Sequence, residues 1–458
     1  MNMKNIYNSI FFVGAGGIGM SAIVRYFLAK GFKVGGYDRT ESDLTEALIK
    51  EGAKIKYIDD INFVEDCFKD FKQTLVVYTP AIPESHSELK WFRDNGFKVI
   101  KRAALLGLIT ESERGICIAG THGKTTTSSM TAHILKQSHV DCNAFLGGIL
   151  KNYSTNLMLS DKSDLTVIEA DEYDRSFHFL RPYMALITAA DPDHLDIYGT
   201  AEAYHESFNI FTSLIQPGGT LIMKDGINIE PRLQNGVKFY TYSGKEKGDF
   251  HAENIRIGNG TIIFDFVAPE HKIKDIELGV PVEINIENGI GAIALSYLNG
   301  VDDQEIKDSM KSFRGAKRRF DFHIKNDNLV MIDDYAHHPD EIKASISSIK
   351  SLYPDKKISV IFQPHLFTRT RDFAKEFAKS LSLADEVILL DIYPARELPI
   401  KGVSSEIIFK DITSKEKTLC KKEDLLSLLE NKKFEVLITL GAGDIDRLIE
   451  PIKELLTK

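Results

Sequence analysis

The chain has 458 residues, 43% of them hydrophobic and 27% charged, an ordinary composition for a globular protein with room for about three domains. The net charge of −9 at pH 7 disfavours a general affinity for nucleic acid or anionic membranes. No apolar run approaches the roughly 18 residues of a membrane span and no signal-peptide pattern is visible, so we expect a cytoplasmic protein without membrane insertion. The four cysteines lack the C-x-x-C spacing of a zinc site.

The first motif combines a buried strand with a glycine-rich turn. Residues 9–13 are apolar and lead into the G-x-G-x-x-G sequence of residues 14–19, after which a helix is predicted. A second strand at 33–37 ends at Asp38, where dinucleotide-binding folds place an acid on a ribose hydroxyl. Alone, this pattern favours NAD. It requires only a close approach to a diphosphate and a ribose, however, and a UDP group carries both.

A third buried strand is predicted at 75–78, and it ends in Thr79 and Pro80. Parallel strands present their carboxyl ends at the same edge of the sheet, which is where such folds bind ligands. We therefore expect Thr79 and Pro80 to lie beside the same ligand as the glycine turn.

The densest cluster of functional signals follows a buried strand at 116–119 and precedes an apolar-periodic helix. Its glycines allow backbone N–H groups to close around phosphate oxygens, Lys124 can reach the β- and γ-phosphates, and Thr125 offers a hydroxyl to Mg²⁺. The P-loop pattern has its first glycine six residues before the lysine, where this chain has Ile118, so the loop is a shortened variant. It predicts a nucleoside triphosphate site formed by Gly120, Thr121, His122, Gly123, Lys124, Thr125 and Thr126.

Two later strands are followed by acidic residues. The apolar run 165–168 precedes Glu169, and the run 185–188 precedes an acidic stretch that contains His194. A magnesium nucleotide needs hard oxygen ligands near the phosphate loop, so Glu169 is the first candidate. His194 is a less expected ligand, because Mg²⁺ prefers oxygen. Residues 216–280 predict short, mainly antiparallel strands with little catalytic content.

A third α/β unit is predicted after a break near residue 313. It contains three basic residues at 317–319, the acidic and histidine-rich run 333–339, and a strand at 360–362. Arginines two residues apart at the end of that strand, with a histidine nearby, suit a bidentate grip on carboxylate or phosphate. These residues are His365, Arg369 and Arg371.

In this order the motifs resemble those of the muramyl ligases. The matching stretches, which span nearly the whole chain, are 13–21, 119–126, 169–172, 193–196, 318–320, 333–339, 362–365 and 368–371. The resemblance implies an α/β fold of three domains. They are a Rossmann-like N-terminal domain (1–105) for a UDP-sugar, a central P-loop-type ATPase domain with a mostly parallel sheet (106–313), and a C-terminal Rossmann-like α/β domain (314–458) that binds ATP and an amino acid.

The resemblance also implies a reaction of peptidoglycan precursor synthesis. The lactyl carboxylate of UDP-N-acetylmuramate attacks the γ-phosphate of ATP, and the amine of L-alanine then displaces phosphate from the acyl phosphate. The implied catalytic residues are Lys124, Glu169, His194 and Arg369, and the implied Mg²⁺ ligands are Thr125, Glu169 and His194. Asn285, Asn288, Arg318 and Asp334 join the phosphate loop in binding ATP. The implied substrate contacts are Gly14, Gly16, Gly17, Ile18, Gly19, Asp38, Thr79, Pro80, His337, His365, Arg369 and Arg371.

Three positions depart from the family pattern. Many relatives carry asparagine and glutamate where this chain has Ala189 and Asp191, so a polar contact there is missing or shifted. Near the adenine the family's histidine is replaced by Ile284, which can supply apolar area but no hydrogen bond.

Three alternatives remain open. A nicotinamide dehydrogenase would use the glycine turn but would leave Lys124 and Glu169 unexplained. A non-catalytic nucleotide-sensing module would have no use for a third domain rich in histidine and arginine. A sibling ligase that attaches a recycled tripeptide to the same sugar differs from the L-alanine enzyme in only a few contacts. The oligomeric state is expected to be a monomer or a homodimer.

Overall fold

The computed structural model describes residues 6–79, 81–258, 260–395, 397–430 and 432–457, with only the backbone of Leu195 and Asp196. Pro80, predicted as a substrate contact, lies outside the described residues. The chain divides into two units. The first comprises residues 1–253, 265–276 and 287–312, and the second comprises residues 254–264, 277–286 and 313–458.

The N-terminal part of the first unit is a five-stranded sheet with helices between its strands. The strands are β1 (Ser9–Val13), β2 (Lys33–Tyr37), β3 (Lys54–Lys56), β4 (Thr74–Tyr78) and β5 (Lys98–Lys101), and the helices are α1 (Ile18–Ala29), α2 (Asp43–Lys50), α3 (Ser87–Asp94) and α4 (Arg102–Ser112). The strand order is β3-β2-β1-β4-β5 and every neighbouring pair is parallel. The chain order reverses between β1 and β4, so the carboxyl ends of these strands form the ligand-binding edge expected for a Rossmann-like sheet.

The central sheet has ten strands in the order β15-β14-β13-β12-β11-β10-β6-β9-β7-β8. They are β6 (Arg114–Ala119), β7 (Asn143–Leu150), β8 (Thr155–Met158), β9 (Leu165–Ala170), β10 (Met184–Ile187), β11 (Thr220–Lys224), β12 (Lys238–Ser243), β13 (Phe250–Gly258), β14 (Thr261–Ala268) and β15 (His271–Glu277). Its helices are α5 (Lys124–Gln137), α6 (Leu195–Tyr198), α7 (Ala201–Ser213), α8 (Ile284–Leu298) and α9 (Asp303–Ser312). Residues Tyr173–Phe179 form short 3₁₀ turns interrupted by a kink at Asp174 and Arg175, whose backbone is not helical.

The expected antiparallel pairing after residue 216 is wrong for the first strands of that segment. β11 is parallel to β10 and to β12, and β12 is parallel to β13 over two residue pairs. The thirteen residues between β11 and β12 are long enough to carry the chain back across the sheet, as parallel pairing requires.

The second unit contains a six-stranded sheet in the order β16-β17-β21-β18-β19-β20. Its strands are β16 (Asp321–Lys325), β17 (Val330–Asp334), β18 (Ile358–Phe362), β19 (Glu386–Leu390), β20 (Glu416–Cys420) and β21 (Val436–Leu440). Its helices are α10 (Pro339–Leu352), α11 (Phe367–Asp372), α12 (Ala374–Leu381), α13 (Glu406–Phe409), α14 (Leu425–Leu429) and α15 (Ile449–Leu456). Only β16 is antiparallel to its neighbour among the pairings described.

The central strands of the N-terminal and six-stranded sheets are buried over their full length, as is β10 in the ten-stranded sheet. β1, β18, β19 and β21 have no half-buried or exposed residue, which explains their continuous apolar sequences, since helices cover both faces of a parallel sheet. Within the described part of the chain, no helix combines the length and hydropathy needed to cross a membrane.

Candidate active site

The phosphate loop follows β6 and leads directly into α5. Gly120 (φ +140°) and Gly123 (φ +82°) adopt backbone conformations that favour glycine. A Cβ on Gly120 would lie 2.1 Å from Oγ1 of Thr188, so the loop also needs a residue without a side chain at that position. Helix α5 begins at Lys124. The start of the helix therefore faces the loop with its free N–H groups, as an anion site requires.

The end of β10 holds the loop through backbone contacts. The N–H of Thr121 donates to the carbonyl of Ala189 over 3.2 Å, and its hydroxyl donates to the carbonyl of Asp191 over 2.8 Å. The hydroxyl of Thr188 donates to the carbonyl of exposed His122. Ala189 and Asp191, which depart from the family pattern, thus support the loop through their main-chain carbonyls.

Lys124 lies inside this loop rather than in solvent. Its Nζ donates to the carbonyls of Gly120 at 2.5 Å and Thr121 at 3.3 Å, and it pairs with Glu172 at 2.8 Å. Burial raises the pKa of Glu172, and the charge of Lys124 opposes that rise. Sequence reasoning gave Glu172 no role, although it belongs to the acidic motif that begins at Glu169.

The structure brings two of the predicted magnesium ligands together. The hydroxyl of Thr125 donates to Oε1 of Glu169 over 3.1 Å. A Cβ on Gly147 would lie 2.3 Å from Oε2 of the same carboxylate. The two oxygens fit the donor preference of Mg²⁺. The third predicted ligand, His194, lies beside Glu172, with its Nε2 4.0 Å from Oε1 of that residue.

The predicted nucleotide asparagines fall in different units. Asn288 belongs to the first unit and lies against the phosphate loop, where Oδ1 accepts from the Thr127 hydroxyl at 3.3 Å. Asn285 belongs to the second unit, and its amide donates to the carbonyl of Val280 over 3.1 Å. Ile284, which replaces the family's histidine, is 56% exposed.

The glycine turn of the N-terminal sheet is tied to the ends of two strands. Gly14 has φ +89°, and a Cβ there would lie 2.6 Å from the methyl group of Thr79. Asp38 accepts from the N–H of Gly16 at 2.6 Å and from the N–H of Thr40 at 3.2 Å. The acid predicted to bind a ribose therefore also fixes the turn.

A cavity of about 330 Å³ joins the glycine turn to the acidic end of β9. Its lining includes Gly14, Gly17, Ile18, Gly19, Thr79, Arg102, Gly147, Glu169 and Asp171. Sequence reasoning assigned no role to Arg102. The only available signal was a basic pair directly after the predicted strand at residues 99–100. Arg102 lies 3.5 Å from Asp171, and a Cβ on Gly19 would lie 2.4 Å from its Nη1.

In the second unit, Arg318 packs against the ends of β17 and β21. Its guanidinium donates to the carbonyl of Gly441 over 2.6 Å, contacts Asp333 at 3.4 Å and lies 5.1 Å from the ring centre of Tyr335. Asp334 accepts a hydrogen bond from the Ser345 hydroxyl. Burial raises the pKa of Asp334 to about 6.

A second group in this unit joins His337, His365 and Arg369. The two imidazole centres are 6.1 Å apart. Burial, followed by the charge of Arg369, lowers the pKa of His365. Nδ1 of His365 and Nη1 of Arg369 are buried without a hydrogen-bond partner among the described residues. Arg371 pairs with Asp372 at 2.7 Å, and its side chain is 53% exposed, so the structure does not bring it into this group.

Family models match three consecutive parts of the chain. A "Mur ligase family, catalytic domain" model matches residues 9–114, a "Mur ligase middle domain" model matches residues 118–296, and a "Mur ligase, glutamate ligase domain" model matches residues 318–443. The chain belongs to the Mur ligase family. It is an ATP-dependent ligase with the three-domain α/β architecture of that family.

Individual Mur ligases are similar over nearly their full length. A UDP-N-acetylmuramate–L-alanine ligase of Parabacteroides distasonis is 66% identical over 99% of this chain and 98% of its own. One of Phocaeicola vulgatus is 64% identical over 99% of both. The crystal structure of a UDP-N-acetylmuramate–alanine ligase from Thermotoga maritima matches with a TM-score of 0.81 at 28% identity, covering 97% of this chain and 99% of that one.

A murein peptide ligase from Psychrobacter arcticus matches with a TM-score of 0.64 at 21% identity and covers 98% of both chains. At that identity the match shows a shared fold alone.

Proposed function

We propose that the chain joins L-alanine to the lactyl carboxylate of UDP-N-acetylmuramate through an acyl phosphate, with ATP converted to ADP and phosphate. The product is UDP-N-acetylmuramoyl-L-alanine, a peptidoglycan precursor. The proposal includes a cytoplasmic location and the domain limits 1–105, 106–313 and 314–458.

The observation that carries this proposal is the 66% identity, over almost the whole of both chains, to a ligase named for this reaction. Other relatives between 43% and 64% identical bear the same name. The geometry is consistent with it, because one cavity reaches from a diphosphate-type glycine turn to Glu169, which contacts the phosphate loop through Thr125. A dehydrogenase would have no need for that connection.

The phosphate loop is proposed to bind the triphosphate of ATP. Its N–H groups and the start of α5 would cradle the phosphate oxygens, with Thr126 and exposed His122 at the rim. Lys124 would exchange its bonds to the loop carbonyls for bonds to the β- and γ-phosphates. Glu172 would position this amine, since it accepts a hydrogen bond from the same Nζ over 2.9 Å.

Thr125 and Glu169 are proposed to hold Mg²⁺, with His194 as a further ligand. When bound, the ion supplies charge neutralisation on the phosphates, which lets a carboxylate approach a polyanion. Gly147 leaves room for the Glu169 carboxylate at this position. Arg102 and the glycine turn would hold the sugar diphosphate and direct the lactyl group toward Glu169.

The second unit is proposed to contribute to the nucleotide and amino-acid sites. Arg318 and Asp334 would bind the phosphates and the ribose, with Asn285 near the base. Arg369 would bind a carboxylate of the substrates through Nη1, which has no hydrogen-bond partner among the described residues. Burial and the charge of Arg369 lower the pKa of His365, which favours the neutral ring that a group accepting a proton from the amine of L-alanine requires.

The proposal is tested by product analysis with the full chain. The protein is incubated with UDP-N-acetylmuramate, ATP and Mg²⁺, together with single amino acids or the tripeptide L-alanyl-γ-D-glutamyl-meso-diaminopimelate, and the products are identified by mass. We expect amide formation with L-alanine and ADP release that requires both acceptor and sugar. Preferred use of the tripeptide would support the sibling ligase instead, and NADH turnover would support the dehydrogenase.

A further inference from the structure

Three ionisable side chains meet in the N-terminal sheet, away from the residues that line the cavity. They are Asp59, in the turn after β3, and His86 and Glu88, at the start of α3. One potential ligand atom from each residue lies within 4.8 Å of the other two. Atoms at such a spacing are within reach of one shared ion.

Glu88 is the unusual member of this cluster. Its side chain is fully buried, and neither of its oxygens has a hydrogen-bond partner of ordinary geometry among the described residues. The nearby N–H of Asp60 is already donated to the carbonyl of Ile58 over 3.0 Å. A buried carboxyl group without a partner is costly, and such groups in native proteins are normally satisfied by a partner, water or an ion.

His86 shows the same deficit. Its ring is 5% exposed, and Nε2 has no hydrogen-bond partner within the described part of the chain. The other ring nitrogen, Nδ1, accepts a long hydrogen bond from the N–H of Leu89 at 3.4 Å and lies 3.1 Å from Oδ1 of Asp59. Coordination through Nδ1 would replace that long bond. Two ligands of one tetrahedral Zn²⁺, at bond lengths of about 2.0–2.1 Å, are roughly 3.3 Å apart. The observed separation therefore suits two atoms that share an ion.

Asp59 is already rigidly held, as a metal ligand should be. It accepts hydrogen bonds from the N–H and hydroxyl of Ser87 at 2.9 and 2.6 Å, and from the N–H of Glu88 at 3.0 Å. These bonds come from the first turn of α3, so the carboxylate is fixed against the other two side chains. Hydrogen bonds of this kind, made to a ligating carboxylate, orient the ligand and strengthen metal binding.

We propose that Asp59, His86 and Glu88 form a site for one divalent transition-metal ion, with Zn²⁺ as the best fit. One imidazole nitrogen and two carboxylates are ligands that Zn²⁺ accepts, and a water molecule would complete four-coordination. Two carboxylates and a neutral imidazole carry a charge of −2, which the ion neutralises. The ion would join the turn after β3 to the start of α3.

The site is linked to the glycine turn by one aromatic contact. The ring of Tyr37 packs edge-on against His86 with centres 4.5 Å apart. Tyr37 ends β2 and directly precedes Asp38, which holds the N–H of Gly16. The bound metal would therefore stabilise the sheet edge that carries the turn, without touching a substrate.

The test is metal binding by the full chain after chelator treatment. Zn²⁺ is titrated against a chromophoric chelator, and thermal unfolding is followed with and without one equivalent of Zn²⁺. The parent chain in this test carries Glu169→Gln, and every variant is made in it, so that the proposed magnesium site does not contribute. We expect one tight equivalent and a rise in Tm of about 4 °C or more. The Glu88→Gln variant should lose the tight Zn²⁺ equivalent and the rise in Tm. Without metal, it should unfold at the Tm of the metal-free parent chain or above.

The matched control is Glu305→Gln. It removes a carboxylate from the exposed cluster of His139, Asp302 and Glu305, which has the same ligand types, and it should leave the tight equivalent unchanged. If Glu88→Gln does not fold, His86→Gln serves as the second variant. Co²⁺ bound in place of Zn²⁺ should show the strong visible absorption of a tetrahedral ion. Loss of that absorption in His86→Gln supports the site. Equal binding by the parent chain and the Glu88→Gln or His86→Gln variant, or no bound equivalent in the parent, overturns the proposal.

Discussion

Replacement of Lys124 by alanine tests the proposed role of the phosphate loop. The change removes a cation that contacts two loop carbonyls and pairs with Glu172 at 2.8 Å. In the reaction, the same cation would stabilise negative charge on the transferred phosphoryl group. Loss of one preorganised charge partner of this kind typically lowers kcat by about 10²–10³-fold. We expect a loss of that size here.

The cost to stability should be smaller. Lys124 is 14% exposed and Glu172 is 3% exposed, so the variant leaves a buried carboxyl group without its cation. Burial already raises the pKa of Glu172, so this carboxyl can take up a proton instead of remaining charged. We therefore expect a stability loss of about 1–3 kcal/mol, the cost of one unsatisfied buried group. A protein with a typical stability of roughly 5–15 kcal/mol remains mostly folded after that loss.

The assay is phosphate release with saturating UDP-N-acetylmuramate, L-alanine and magnesium ATP, together with thermal unfolding of the same samples. Lys136→Ala is the matched control, because Lys136 lies on the same helix and pairs with Asp141 at 2.6 Å, away from the loop. It should retain activity within about threefold, the range of ordinary substitutions outside a site. Near wild-type turnover in the folded Lys124→Ala protein would refute the assignment of the phosphate loop.

Three further substitutions have defined outcomes. Arg369→Lys should lower kcat/KM about tenfold because the planar fork is lost, whereas Arg371→Lys, which changes an exposed residue, should have little effect; equal losses would contradict the assignment. Burial raises the pKa of Asp334 from 3.8 to about 6, so its charged form opposes folding above pH 6. Asp334→Asn should therefore raise the free energy of unfolding in urea at pH 7.5 by up to roughly 3 kcal/mol. This stabilisation should disappear by pH 4, and the variant should be less active. A difference in unfolding free energy that does not change with pH would contradict the raised pKa. Gly147→Ala should displace the Glu169 carboxylate and raise the Mg²⁺ concentration for half-maximal activity about tenfold or more, and an unchanged Mg²⁺ requirement would exclude Glu169 as a ligand.

The elements that could be predicted from the sequence are those with a strong local signal. β1 and β2 begin and end where the sequence pattern places them, since their apolar runs meet Gly14 and Asp38. Helix α5 follows the phosphate loop, as the pattern predicts, but its first residue, Lys124, lies within the loop motif itself. Gly123 in a left-handed conformation lets the helix begin at once at Lys124.

Features set by distant contacts could not be read from the pattern. Glu172 pairs with a lysine 48 residues away, and nothing in the local sequence singles it out from its acidic neighbours. The two arginines were expected to act together, but the chain turns at Leu366 (φ +71°) into α11. On a helix, residues two apart do not face each other, which separates Arg369 from Arg371.

The most direct test of the central claim follows an isotope from the sugar substrate. UDP-N-acetylmuramate labelled with ¹⁸O in both oxygens of the lactyl carboxylate is converted with ATP and L-alanine, and phosphate and product are analysed by mass. Attack of the carboxylate on the γ-phosphate predicts one ¹⁸O in the released phosphate and one in the new amide. Unlabelled phosphate released alongside the amide product, with the second ¹⁸O found in water or in another product, would contradict an acyl phosphate and with it the proposed reaction.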